Sequence, residues 1–296
     1  MRYGLAPFEF KPIYKQIIGD GIPDFSRFDI VEYIRKCVEI DHIDVIEVSM
    51  DIVYVLPGSL KSQTIEKLVD LKDELGHSYT THLPFWSVEL SSFNEPVRKG
   101  SVQSIVETIK LVEPLDPEAY VLHASGSLAS EFSSMDFETS ELSMICMLMS
   151  VFSTQSVEEI ITRTEINPRK LAIENFEFPF DITREVVDEH DTSICFDTGH
   201  VLAKYSGDES LIDFYRNHKD RIVEIHLHDG SYKEINGTPV RTDHIALGQG
   251  EMPIREFLME LVKDDFIGPI IFELTHAETN ESLERIKEVV PEALSS

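Results

Sequence analysis

At 296 residues with 42% hydrophobic composition, the chain can bury one large core, and eight-fold α/β barrels commonly run to about 250 residues as one domain. Fifty-four acids against 26 Lys and Arg give a formal charge of −28 spread along the chain, which repels polyanions and, with no cationic cluster, excludes strong nonspecific nucleic-acid binding. Cys37, Cys146 and Cys195 are odd in number, far apart and set among apolar residues, which argues against a disulfide framework or a thiolate zinc site. The first residues, MRYGLAPFEF, lack a basic stretch followed by an apolar run. No window reads as the roughly 18 apolar residues of a membrane helix, so a soluble, cytoplasmic protein without a membrane partner is expected.

Short β-rich runs alternate with longer segments of helical spacing, the pattern of an α/β fold. The first unit is a strand at 2 to 7 and a helix at 27 to 40, where Ile30, Val31, Ile34, Val38 and Ile40 recur at helical intervals. The second pairs IDVIEVS at 43 to 49 with a helix at 60 to 75. A third strand at 78 to 83 ends in THLP and leads to a helix at 95 to 113, stopped by Pro114. The fourth is AYVLHA at 119 to 124. KLAIEN at 170 to 175 and TSICFDT at 192 to 198 follow, with a helix near 182 to 190 between them. RIVEIHLHD occupies 221 to 229, and PIIFELT at 269 to 275 precedes a last helix at 278 to 290. Eight near-continuous apolar strands with intervening helices fit a closed (β/α)8 TIM barrel better than an open sheet, and residues 1 to 296 are expected to form that single domain.

On strands three to eight the apolar run gives way at its C-terminal end to a residue of metal-ligand type: His82, His123, Glu174, Asp197, His226 and Glu273. Parallel barrel strands place all their C-terminal ends on one face, so these residues converge on one pocket. Any one of them could be a helix cap or a hydrogen-bonded core histidine. Six together would be costly to desolvate unless a cation or proton neutralised them. Oxygen and imidazole donors without thiolates suit Zn²⁺ or Mn²⁺, with Mg²⁺ and Co²⁺ also admitted.

At these residues the chain resembles the xylose isomerase-like barrel superfamily, which includes sugar isomerases and epimerases and the endonuclease IV group of abasic-site hydrolases. The segments that carry the resemblance are THLPF (81 to 85), LHASGS (122 to 127), IEN (173 to 175), CFDTGH (195 to 200), HLHD (226 to 229), DHIALGQG (243 to 250) and FEL (272 to 274), in that order along nearly the whole chain. The resemblance implies a principal metal site of Glu174, Asp197, His226 and Glu273. In the isomerase branch it implies proton transfer by Glu174 and Glu273 on a metal-stabilised enediolate, with His200 and His228 on substrate hydroxyls. In the endonuclease IV branch it implies three zinc ions, with further ligands at His82, His123, His200 and His244. The chain departs from that branch where the hydrolases place an aspartate two residues before the last histidine. Thr242 stands there and Asp243 comes one residue late, which argues against a third metal. The segment FEFPFD after Asn175 also lacks the nucleases' small, glycine-rich continuation.

The stretch from Gly230 to Gly250 reads as a long exposed loop whose Lys233 and Arg241 could meet a substrate phosphate. Gly248 and Gly250 read as a backbone turn, and Phe85 with Trp86 as either a platform for a sugar's apolar face or lid packing. The first expectation is therefore a sugar or sugar-phosphate isomerase or epimerase with one to three divalent ions, open to homo-oligomerisation. The second is a zinc phosphodiesterase acting on an abasic site or a small phosphodiester. A noncatalytic binder is disfavoured, because a binding pocket needs no pair of acids able to exchange protons.

Overall fold

The computed structural model describes residues 1–294 except 7–9, 19–20, 57 and 136–138. Seven parallel strands come first in the chain: β1 (Arg2–Leu5), β2 (Ile43–Ser49), β3 (Ser78–His82), β4 (Tyr120–Leu122), β5 (Leu171–Glu174), β6 (Ser193–Asp197) and β7 (Ile222–His226). A hairpin of β8 (Asp229–Ile235) and β9 (Thr238–Ile245) follows, then β10 (Pro269–Phe272), which pairs with both β7 and β1 and closes the barrel. The fold is a (β/α)8 TIM barrel. All eight expected strands are present, β2 with the bounds read and the others slightly shorter, and the expected end of the first at residue 7 lies outside the described residues.

The expected helices appear at Ile30–Val38, Ser62–Leu75, Glu95–Val112, Phe180–His190 and His276–Val289, and local chemistry explains their ends. Asp29 caps the first by accepting from the N–H groups of Val31 and Glu32. Gly76, at φ 72°, stops the second in the left-handed conformation that glycine adopts without strain. Thr275 and Glu278 close a reciprocal capping box on the last.

Two readings change. The stretch from Gly230 to Gly250 is largely the β8–β9 hairpin, turned at Asn236 (φ 53°) and Gly237 (φ 77°), the positive-φ pair that a tight two-residue turn requires. Between β4 and β5 runs a helix that the sequence pattern did not reveal, Thr139–Thr164. Met144, Met147, Leu148 and Val151 are exposed on one side while Cys146, Met149, Val157 and Ile160 are buried on the other, so no amphipathic period marks it. By length and composition this helix could cross a membrane. Here it packs on the barrel, with Ser153 Oγ donating to Ala124 O at 2.6 Å and Ser156 Oγ to Leu90 O at 2.7 Å.

Candidate metal centre

The C-terminal ends of β3 to β7 and β10 meet at one mouth, and Glu174 at the end of β5 is its hub. Its Oε2 accepts from His82 Nε2 at 3.2 Å and His123 Nε2 at 2.8 Å, while its Oε1 faces His200 Nδ1 at 3.4 Å and His226 Nδ1 at 3.7 Å. One carboxylate thus serves two adjoining clusters, His82–His123–Glu174 and Glu174–Asp197–His226–Glu273, in each of which one ligand atom per residue lies within 4.8 Å of the others. Glu174, Asp197 and His226 are almost completely buried.

Asp197 is oriented from several sides. Asn175 bonds both its N–H and its carbonyl, tying the end of β5 to the end of β6. The Asp197 carboxylate accepts from His200 N–H at 2.6 Å, capping the short helix Thr198–Leu202, and from His228 Nε2 at 2.7 Å. His228 is fully buried, and its Nδ1 accepts from the His244 N–H at 3.0 Å. Both ring nitrogens are therefore committed within the protein, where the sequence reading had offered His228 to substrate hydroxyls. In this position it orients Asp197.

A third cluster stands beside these, His200–Asp243–His244. Asp243 Oδ2 lies 3.7 Å from His200 Nε2 and 3.0 Å from His244 Nδ1, and His244 Nε2 lies 3.4 Å from Glu273 Oε2. The one-residue displacement of the aspartate therefore does not remove it from the centre. His244 takes a left-handed backbone (φ 50°), and the β8–β9 register shifts near Asp229, so the strand bends and brings Asp243 in together with its histidine.

The electrostatics are those of a site built for positive charge. Burial pushes the Glu174 carboxyl up, but His123 and His226 outweigh it and hold it well below the usual carboxylate range. Glu273 is lowered in the same way by His226 and His244. Burial opposes protonation of His82 and His244, yet Glu174 raises the first to about 10, and Asp243 with Glu273 raises the second to about 11. His226 Nδ1 is buried, lies 3.1 Å from Glu273 Oε2 and makes no hydrogen bond. A buried ring nitrogen without a hydrogen-bond partner, aimed into a carboxylate cluster of oxygen and imidazole donors with no thiolate, fits a divalent cation.

The sequence reading missed a layer beneath the mouth. Glu47 on β2 lies 3.3 Å from His226 Nε2, the nitrogen facing away from the cluster, and Thr80 donates to Glu224 at 2.8 Å. A glutamate amid an apolar strand was the available signal. Asp229, also missed, accepts from the N–H groups of Gly248, Gly250 and Met252 and shapes the glycine turn. Trp86 stands at the mouth. The Arg241 guanidinium stacks on Tyr205 and Tyr232 and donates to Ala203 O, and Lys233 is exposed on β8 across from Val240. The three cysteines are buried free thiols.

Residues 34–289 match the family described as Xylose isomerase-like TIM barrel. The chain belongs to this family. An uncharacterised protein of Methanocaldococcus jannaschii is 28% identical over 251 residues, covering 80% of this chain and 79% of its relative. A Sulfurihydrogenibium protein named "Probable endonuclease 4" is 27% identical over 222 residues, 68% of this chain and 72% of that one. Among solved structures, a D-tagatose 3-epimerase-like protein superposes with a TM-score of 0.69 at 21% identity, covering 99% of this chain and 98% of that chain. Endonuclease IV from Thermus thermophilus reaches 0.65 at 16% identity, covering 99% of this chain and 100% of that chain. Family members of both kinds are enzymes, so the fold by itself does not choose a reaction.

Proposed function

We propose that this chain is a divalent-metal-dependent hydrolase of a small phosphodiester. The observation that carries this reading is the His200–Asp243–His244 cluster, which adjoins the two clusters that share Glu174. Enediolate chemistry needs one cation and two carboxylates, which leaves His82, His123, Asp243 and His244 outside the ligand set and only as neighbours of its members. Phosphoester hydrolysis uses several cations, which polarise the phosphoryl oxygens, lower the pKa of water and stabilise the leaving oxygen. Around them the chain's own groups act as holders. Glu174 would offer one oxygen to each of the two clusters it shares, His228 and Asn175 fix Asp197, and Asp243 brings a third carboxylate to His200. A net charge of −28 favours a small ester over duplex DNA.

This order reverses the ranking from sequence alone, which rested on the displaced aspartate together with the FEFPFD segment and the net charge; the geometry removes the first of these. Sugar isomerisation or epimerisation stays as the second reading, favoured by Glu174 and Glu273 meeting in one cluster with His226 between them. The test is to assay protein supplied with Zn²⁺ or Mn²⁺ on bis(p-nitrophenyl) phosphate and on a dialkyl phosphodiester, on abasic duplex DNA at physiological salt, and on a ketose and ketose-phosphate panel in deuterated water. Metal-dependent diester hydrolysis without DNA nicking and without carbon-bound deuterium is expected. Deuterium uptake without diester hydrolysis would reverse the order again.

A further inference from the structure

We infer that Trp86 is the face on which a planar aromatic group of the substrate's ester stacks, so that the small phosphodiester is nucleoside-like. The phosphate's position rests on the hydrolase reading; the ring's position does not. A cavity of about 340 Å³ opens directly off the metal centre, with His82, His244 and Glu273 on its inner side and Phe85 and Trp86 on its wall. Trp86 is 45% exposed, on a loop that is firmly held. The carboxylate of Asp51, itself 2% exposed, accepts from the backbone N–H of Phe85 at 3.1 Å and of Trp86 at 3.4 Å.

Phe85 braces the arrangement. Its ring lies 5.1 Å from that of His82 and 4.7 Å from that of His123, and meets Trp86 edge-on at 5.7 Å. The indole is thus set at a fixed offset from two candidate ligands, which lowers the ordering cost of binding a ring against it. Charge selects the kind of group. The described residues lining the cavity place His82 and His244 on the metal side and Phe85, Trp86, Leu274 and Glu278 away from it, with no Lys or Arg, so beyond the centre the wall offers a neutral flat ring apolar contact and a second anionic group no cationic side chain. Base-on-aromatic stacking is worth roughly a fivefold to hundredfold change in affinity per ring.

Trp86 is the only tryptophan in the chain, so its fluorescence reports on this position directly. Zn²⁺-supplied protein is titrated with adenosine 5′-monophosphate and with ribose 5-phosphate, exciting beyond the absorption of adenine, and affinities are measured in parallel by calorimetry. Saturable quenching by the nucleotide is expected, together with about tenfold or tighter binding than the sugar phosphate. Trp86→Leu should abolish that preference and Trp86→Phe retain most of it. Equal affinities in the unaltered protein, or an undiminished preference in a folded Trp86→Leu variant, overturn the inference, and the first comparison stands even where that variant does not fold. Hydrolysis of the dialkyl diester is read separately. Its absence would remove the hydrolase reading and leave nucleotide quenching at Trp86 untouched.

Discussion

At the scale of single residues, the centre depends on side chains whose polar atoms are oriented by neighbours. Asp197→Ala or His226→Ala removes a donor from the principal cluster, and tightly bound metal, counted by elemental analysis, should fall below one ion per site while circular dichroism stays native. Glu47→Gln is a subtler case. Glu47 holds the far nitrogen of His226, and loss of such a partner costs about 10- to 100-fold in metal affinity, measurable by chelator competition. A different residue sets an acid limit on stability. His77, just before β3 at the end of the barrel opposite the mouth, is buried with neither ring nitrogen hydrogen-bonded, and burial with nearby Lys72 lowers its pKa from 6.5 to about 4. The folded state therefore resists a proton that the unfolded state accepts. Its contribution is complete above pH 6.5 and is lost as pH falls toward about 4. His77→Phe should show a smaller drop in Tm across that window than the unaltered protein, and an identical drop would refute the assignment.

At the scale of elements, the turn from β6 into the helix Thr198–Leu202 positions Asp197, His200 and His228 at once. Gly199 makes this close approach workable, because a Cβ there would overlap the His228 ring. Gly199→Ala should displace His228 from Asp197 and weaken metal binding by at least about tenfold, on the scale of other lost partners of a ligand. Unchanged affinity in the chelator competition would show that His228 does not orient Asp197. The β8–β9 hairpin has a comparable role, since its bend delivers Asp243 and His244 together.

At the scale of the whole molecule, a charge of −28 acts against compactness. Raising ionic strength from about 0.1 M to about 1 M shortens the screening length from about 10 Å to about 3 Å. Tm in a non-coordinating salt should rise by at least about 2 °C, and a flat or falling Tm would contradict the repulsion argument. Divalent metal should add to this, because ions held only by the folded centre stabilise it by mass action.

How much was legible differs among these scales, for physical reasons. Strand periodicity, the order of the eight units and the metal-ligand residues ending six of them are local properties of the chain, and the barrel carries those residues to one face. The long helix Thr139–Thr164 was not legible because apolar side chains cover both its faces and cancel the helical period. Nor was the third cluster, since spacing by residue count assumes a regular strand, whereas a left-handed residue and a register shift re-aim Asp243. Glu47 and His228 acquired their positions only by distance in space, 179 residues separating Glu47 from His226 and 31 separating His228 from Asp197. The sequence by itself determined the fold, because it follows from a local pattern repeated eight times, and it named the six strand-end residues that the barrel gathers at one mouth. The tertiary structure alone decided which donors share a cluster, because that depends on a few ångströms of backbone path where the strands end.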